Sequence, residues 1–176
     1  MRWISRSPEA TREAALALAR ALRGRGLAIA LSGPLGAGKT AFVQGLAAGL
    51  GLARAPVASP TFVLASEYGA PGGPRLAHVD LYRVESEAEL DAAGFRDLLA
   101  PDRVVAIEWA DRFPEALPAD RLEVRIRRAS GRPGTHREIL AVALGPAAER
   151  VRARWSAGRA RGASRGRRRA RGAAGR

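Results

Sequence analysis

The sequence has no cysteine, and a single lysine accompanies 29 arginines among its 30 basic residues. Without cysteine, neither a disulfide framework nor a thiolate metal site is available to this chain. The chain also has no uninterrupted apolar stretch long enough to cross a bilayer, because charged residues interrupt its N-terminal segment. These absences lead us to expect a cytoplasmic protein without a membrane partner.

Acidic residues are missing from the C-terminal end of the chain. Residues 150–176 contain eleven arginines and no acidic residue, whereas residues 1–149 contain 19 basic and 17 acidic residues. We therefore predict a nearly neutral domain over 1–149 and a disordered, arginine-rich tail over 150–176, which begins with a short helix through Trp155. The tail either binds RNA, such as tRNA, or another polyanion, or it only increases solubility.

The stretch on which the function of the chain depends runs from Gly33 to Thr40 and has the sequence Gly-Pro-Leu-Gly-Ala-Gly-Lys-Thr. It matches the Walker A pattern G-x-x-x-x-G-K-[ST]. An apolar run over 27–31 precedes it and predicts a buried strand, and apolar residues at helical spacing follow it over 41–50. Strand, glycine-rich turn and helix are the context that a phosphate-binding loop requires.

The specified residues of this loop each have a chemical role. Gly33, Gly36 and Gly38 allow backbone N–H groups to surround a polyphosphate. Lys39 would reach the β- and γ-phosphates of a nucleotide, and the Thr40 hydroxyl would ligate Mg²⁺. The only lysine of the chain therefore lies where a compact ammonium fits between phosphates better than a planar guanidinium does.

Two later strand candidates carry acidic residues. The run over 75–82 has His78 and Asp80 on one face, and the apolar run over 104–107 leads into Glu108. A carboxylate at the end of a strand beside a phosphate loop can place Mg²⁺ or the attacking water. The longer apolar run favours Glu108 for the metal and Asp80 for the water, although the pattern alone does not decide which of them positions the water. We interpret His78 as a hydrogen-bonded structural residue.

Four further residues are candidates for the nucleotide site, each with an alternative. Thr61 lies in a loop where nucleotide switches place a γ-phosphate sensor, but its hydroxyl equally fits a local turn. Trp109 belongs either to the core or to the nucleotide pocket. Arg132 in the turn over 130–134, or Arg137 in the strand that follows it, either contacts the nucleotide or is an exposed arginine.

The remaining pattern predicts an alternation of helices and strands. Ser7, Pro8 and Glu9 form a typical helix start. We expect helices over 8–23 and 86–99, a strand over 62–65, a hairpin turn over 68–74, and two antiparallel strands at the sheet edge over 121–128 and 136–144.

Four motifs together resemble one family, TsaE, the small bacterial ATPase of tRNA threonylcarbamoyladenosine synthesis. The resemblance covers about residues 5–145, and the order and separation of the four motifs make it specific. The motifs are Gly36-Ala37-Gly38-Lys39-Thr40, Ser59-Pro60-Thr61-Phe62, His78-Val79-Asp80-Leu81-Tyr82-Arg83 and Ile107-Glu108-Trp109.

The resemblance implies a P-loop NTPase fold of the α/β class, in which helices flank a mostly parallel central sheet with antiparallel edge strands. It also implies Mg-dependent hydrolysis of ATP that is weak for the protein alone. The implied partner is a TsaB–TsaD complex, which threonylcarbamoylates the adenosine beside the anticodon in tRNA. The arginine-rich tail has no counterpart in the family pattern.

The resemblance also implies roles for individual residues. Thr40 and Glu108 resemble the Mg²⁺ ligands, and Asp80 resembles the acid that hydrolysis needs. Lys39, Asp80 and Glu108 are thus the predicted catalytic residues. The predicted contacts to the ATP cofactor are Gly33, Gly36, Ala37, Gly38, Lys39, Thr40, Ala41, Thr61, Trp109 and Arg137.

Two other functions are compatible with the same residues. A small-molecule kinase would use the same phosphate loop but would transfer the phosphoryl group to an organic acceptor. A nucleotide-gated adaptor would bind RNA through the tail without needing hydrolysis.

Overall fold

The computed structural model describes residues 1–52, 57–60, 64–70 and 72–158. The predictions for Thr61 and for the tail beyond residue 158 lie outside these residues. The described strands are β1 (Arg2–Ser5), β2 (Leu27–Ser32), β3 (Ala65–Gly69), β4 (Arg75–Asp80), β5 (Val104–Glu108), β6 (Arg121–Arg128) and β7 (Arg137–Leu144). The α-helices are α1 (Pro8–Leu22), α2 (Lys39–Gly49), α3 (Glu87–Ala92), α4 (Phe95–Leu98) and α5 (146–158), with 3₁₀ turns at Ala110–Arg112 and Pro114–Ala116.

The described strands form one sheet with the order β1-β7-β6-β2-β5-β4-β3. The four central strands, β6, β2, β5 and β4, run parallel, while β3 pairs with β4, and β7 with β6 and β1, in antiparallel fashion. Because helices flank the sheet, the predicted α/β class with a mostly parallel centre and antiparallel edges is confirmed.

The position predicted for 121–128 and 136–144 at the sheet edge is wrong. β6 lies between β2 and β7, and β7 lies between β6 and β1. The edge strand on this side of the sheet is β1, which pairs with β7 from Arg2↔Leu140 to Ser5↔Arg137. A four-residue strand with one exposed and one half-buried apolar residue has little periodicity, so the sequence pattern did not reveal it.

Two other elements differ from their predicted bounds. The helix expected over 86–99 is divided into α3 and α4, because Gly94 takes a left-handed conformation with φ of 73° between them. The strand expected over 62–65 begins at Ala65 as β3 and forms a hairpin with β4 across the predicted turn.

Each face of the sheet has its own hydrophobic core. On one face α1, α2 and α5 cover residues of β2, β6 and β7, among them Ile29, Leu31 and Val124. On the other face α3, α4 and the 3₁₀ turns cover β4 and β5. Among the described helices, none combines the length and apolar character that spanning a bilayer requires.

The folded domain extends past residue 149, where we predicted it to end, because helix α5 packs in its core. Its Val151 is 4% exposed and its Trp155 is 1% exposed, and both belong to the core under α1. The Trp155 indole Nε1 donates a hydrogen bond of 2.9 Å to the carbonyl of Ala14. Apolar residues four positions apart on a helix lie on one face, so this arginine-rich segment still buries a stripe of side chains.

Candidate functional site

The predicted site residues meet where the parallel strands end. The glycine loop follows β2, Glu108 ends β5 and Asp80 ends β4. Asp80 and Glu108 are register partners across the β4–β5 pair. Since parallel strands present their carboxyl ends at one edge of the sheet, the fold brings the loop and both carboxylates to the same crevice.

The glycine loop has backbone conformations that other residues rarely adopt. Gly33, Gly36 and Gly38 have φ values of 139°, 70° and 104°. A Cβ on Gly33 would lie 2.0 Å from the carbonyl oxygen of Ile126 on β6, whereas a Cβ on Gly36 or Gly38 would meet no atom within 4 Å. Gly33 is therefore required for packing of the loop on the sheet, and the other two leave an open concave surface that fits a polyphosphate.

Lys39 is buried at the centre of this surface, with 4% of its area exposed. Its Nζ donates hydrogen bonds to the carbonyls of Gly33 (2.8 Å) and Pro34 (3.2 Å) and lies 3.6 Å from the centroid of the Trp109 ring. Burial lowers the pKa of this ammonium, and the charges of Glu108, Asp80 and Asp111 oppose that shift.

Glu108 joins the loop to the sheet. Its Oε1 accepts a hydrogen bond of 2.9 Å from the Thr40 hydroxyl at the start of α2. The same oxygen lies 2.9 Å from Nε2 of His78 on β4. Glu108 is 3% exposed and His78 is fully buried. Sequence reasoning paired Thr40 with Glu108 but missed the contact with His78, because 30 residues separate the two partners and only the β4–β5 pairing brings them together.

Among the contacts of the described residues, Asp80 accepts hydrogen bonds from Ser59 and Tyr82. The Ser59 hydroxyl donates to Oδ2, and the backbone N–H of Tyr82 donates to Oδ1 over 3.0 Å. Ser59 is the first residue of the second predicted motif, so the structure brings that residue to the carboxylate. Asp80 is 7% exposed.

Trp109 packs against the second hydrophobic core and also lies beside Lys39 of the loop, so both alternatives left by the sequence fit its position. Its backbone is left-handed, with φ of 58°, a conformation uncommon for a bulky residue. Its ring packs against Tyr82 with centroids 5.0 Å apart and lies under Lys39. Trp109 thus contacts both the buried Lys39 and Tyr82, which is 47% exposed.

Of the two candidate arginines, Arg137 reaches the loop. Its Nε donates to the carbonyl of Ala37 over 2.9 Å, and its Nη2 donates to that of Gly36 over 3.3 Å. Arg132 instead lines a surface cavity with Arg2 and Arg127. Arg137 thus attaches the start of β7 to two carbonyl groups of the glycine loop.

The oxygen donors of the crevice fit Mg²⁺, an ion that is usually bound by few protein ligands together with substrate phosphates, better than they fit a metal bound by protein ligands alone. Within the described ranges, no group of three or more histidine, cysteine, aspartate or glutamate residues is placed to hold a metal ion. In the crevice, the Thr40 hydroxyl and the Glu108 carboxylate lie within hydrogen-bond distance of each other. Mg²⁺ prefers hard oxygen ligands and is commonly bound through one or two protein groups together with substrate phosphates.

Known proteins resemble this chain over most of its length. The family described as "Threonylcarbamoyl adenosine biosynthesis protein TsaE" matches residues 5–139. The tRNA threonylcarbamoyladenosine biosynthesis protein TsaE of Bacillus subtilis is 39% identical over 145 residues, which cover 82% of this chain and 87% of that protein. The protein of the same name from Streptomyces coelicolor is 44% identical over 121 residues, 68% of this chain and 80% of that protein.

A solved structure has the same fold. The crystal structure of YdiB from Bacillus subtilis superposes with a TM-score of 0.69 at 32% sequence identity, covering 89% of this chain and 93% of that one. This neighbour supports assignment of the sheet to the P-loop NTPase fold.

Proposed function

Since the chain belongs to the TsaE family of threonylcarbamoyl adenosine biosynthesis proteins, we propose that it is a Mg-dependent ATPase that supports threonylcarbamoylation of tRNA. The proposed reaction is hydrolysis of the β–γ phosphoanhydride by water. The proposed partner on which hydrolysis acts is a TsaB–TsaD complex.

One observation carries the proposal. Within a loop of Walker A sequence, Lys39 Nζ is buried between loop carbonyls, and the adjacent Thr40 hydroxyl donates to Glu108 at 2.9 Å. An ammonium and a hydroxyl from the start of α2 and a carboxylate from the end of β5 thus meet at one loop. That combination suits a triphosphate with its divalent cation.

Each residue of the crevice has a proposed task. The N–H groups around Gly36 and Gly38 would bind the phosphate oxygens, and Lys39 would neutralise charge that develops on them. Thr40 and Glu108 would hold Mg²⁺, which supplies electrostatic stabilisation of the phosphate oxygens when bound. Asp80, already oriented by Ser59 and Tyr82, would accept a hydrogen bond from the attacking water and place it.

Two features support partner-coupled hydrolysis. The described residues form a single sheet flanked by its own helices, and the loop opens to a crevice at the carboxyl ends of the parallel strands. In this arrangement the energy of hydrolysis would be used by a second protein that contacts the crevice. We propose that ATP binding and hydrolysis reset the modification complex between rounds.

The experiment measures inorganic phosphate released from γ-labelled ATP, with and without a purified TsaB–TsaD complex. We expect the complex to stimulate the wild type and Glu108→Gln to lower the stimulated rate by at least about 100-fold, because a neutral amide is a weaker ligand for Mg²⁺ than a carboxylate. Glu115→Gln, the same change at an exposed glutamate, serves as the matched control and should leave the rate unchanged.

Two outcomes would contradict the proposal. Label that appears on an organic acceptor instead of in free phosphate would identify a kinase. If Glu108→Gln and Lys39→Ala still support tRNA threonylcarbamoylation by the TsaB–TsaD complex as the wild type does, the protein is an adaptor that does not need hydrolysis.

A further inference from the structure

His78 is a polar residue inside a buried strand. It lies on β4 between Ala77 and Val79, and none of its surface is exposed. A buried imidazole is costly unless its N–H finds an acceptor. Nε2 finds one in Glu108 Oε1 at 2.9 Å, whereas Nδ1 is buried and has no hydrogen-bond partner within the described residues. The contact with Glu108 therefore explains why a polar ring occupies this position.

Two donors meet on one oxygen of Glu108. Thr40 Oγ1 and His78 Nε2 both lie 2.9 Å from Oε1. An ionised carboxylate only accepts hydrogen bonds, so the imidazole donates through Nε2. With Oε1 bound to two donors, Oε2 keeps its lone pairs for another partner.

The two donors differ in what holds them. Thr40 lies in the first turn of α2, directly after the glycine loop, and is itself proposed to contact the metal. His78 lies inside a strand that pairs with β5 in the register His78↔Ala106, so its backbone is fixed relative to Glu108. The terminal torsion of a glutamate is broad, and a carboxylate with one donor samples many orientations. A second donor on a rigid strand restricts it.

We infer that His78 is a positioning residue: its Nε2 bond to Glu108 Oε1 holds the carboxylate in the orientation in which it receives Mg²⁺. The inference rests on the proposed function, because it assigns the metal to Glu108. A partner that orients a metal ligand typically changes metal affinity by about 10- to 100-fold when it is removed. His78 thus acts through Glu108 and not on the nucleotide.

The test separates binding of the nucleotide from the contribution of the metal. Calorimetry gives the Kd of ATP in EDTA and in excess Mg²⁺, and their ratio is the gain due to the metal. In His78→Leu we expect this gain to fall by about tenfold or more, while the Kd in EDTA changes less than about threefold. His78→Gln, whose side-chain amide donates from nearly the position of Nε2, should keep most of the gain.

A control variant shows what lost packing in the same strand does on its own. Val79→Ala alters the same strand on its opposite face, where the side chain is fully buried in the second core. It should lower the melting temperature, as His78→Leu does, and leave the ratio of the two Kd values unchanged. Where His78→Leu does not fold, His78→Asn replaces it, since the shorter amide does not reach Oε1.

The outcomes distinguish this inference from the proposed function. A wild type whose Kd for ATP is the same in EDTA and in Mg²⁺ contradicts the proposed function itself. If Mg²⁺ clearly strengthens ATP binding to the wild type, and His78→Leu or His78→Asn keeps this gain in full, only the role of His78 is overturned. Equal loss of the gain in His78→Gln and in the variants without a donor would also overturn it, because the donor would then not matter.

Discussion

Gly33 and Gly36 occupy the same loop but meet different surroundings. Both have positive φ, which costs a residue with a Cβ about 1–2 kcal/mol. Only at Gly33 would the Cβ also collide with backbone, at 2.0 Å from the Ile126 oxygen, whereas Gly36 faces open space. The loop therefore needs glycine at its start to pack on β6 and further along to shape the phosphate-binding surface.

We predict that Gly33→Ala lowers the free energy of unfolding by at least about 3 kcal/mol, because backbone strain and overpacking add. Gly36→Ala should lower it by about 1–2 kcal/mol, from backbone strain alone. Urea unfolding of both variants measures the difference. Equal losses would show that the approach of Gly33 to Ile126 does not control the packing of the loop.

At the scale of elements, ion pairs attach strand β1 and strand β6 to β7. Glu138 on β7 is 6% exposed and accepts from Arg127 on β6 and from Arg2 on β1. The hydrogen bond from Arg127 lowers the pKa of Glu138 most strongly; burial opposes this shift, and the charge of Arg127 and the contact with Arg2 add to it. One carboxylate thus connects three strands.

Because the pKa of Glu138 is lowered in the folded state, the contribution of its ion pairs to the stability of the protein depends on pH. A carboxyl whose pKa is lower in the folded state contributes stability above its unfolded value, about 4.3 for glutamate, and loses it as the pH falls through the folded value. We predict that wild type is more stable than Glu138→Gln at pH 6 and that this difference decreases as the pH falls from 6 to 3. Melting temperatures from pH 6 to pH 3 measure it. A difference that stays constant over this range would exclude an electrostatic origin.

At the scale of the whole molecule, the C-terminal end consists of two segments, a packed helix and the arginine-rich residues that follow it. Residues 146–158 are helix α5, with Val151 and Trp155 in the core, and Trp155 stacks edge-on against Trp3 with centroids 4.8 Å apart. Residues 159–176 hold eight of the 30 basic residues and none of the 17 acidic ones, so without them the formal net charge falls from +13 to +5.

We predict that deleting 150–176 destabilises the domain by at least about 3 kcal/mol more than deleting 159–176, because only the longer deletion removes Trp155 from the core. Urea unfolding of the two truncated chains gives this difference. Trp155→Ala in the full chain should reproduce most of it. Equal stability of the two truncations would show that α5 is not part of the folded core.

The same truncations test the RNA prediction for the tail. If eight arginines bind phosphates, deleting 159–176 lowers the affinity for tRNA and reduces the dependence of log K on log salt concentration. Filter binding at several salt concentrations measures both quantities. An unchanged slope would assign the tail to solubility alone.

Much of the fold and of the site follows from short-range patterns. The strand–loop–helix unit around Lys39, the Ser7 cap that accepts from Ala10, and the division of the sheet into parallel centre and antiparallel edges were all predictable. Site residues in the glycine loop and at the ends of β4 and β5 could be named because their motifs are local. Their roles in binding and hydrolysis stay predictions, as does that of Thr61.

The sequence by itself determined where helices, turns and the phosphate loop form, since caps, glycines and apolar periods act over a few residues. Only the tertiary structure decided which distant groups meet: His78 with Glu108, 30 residues apart, and Arg137 with Ala37, 100 residues apart. The physical reason is that strand order and register create these contacts. No local pattern encodes that β5 lies between β2 and β4, or that β1 closes the sheet beside β7.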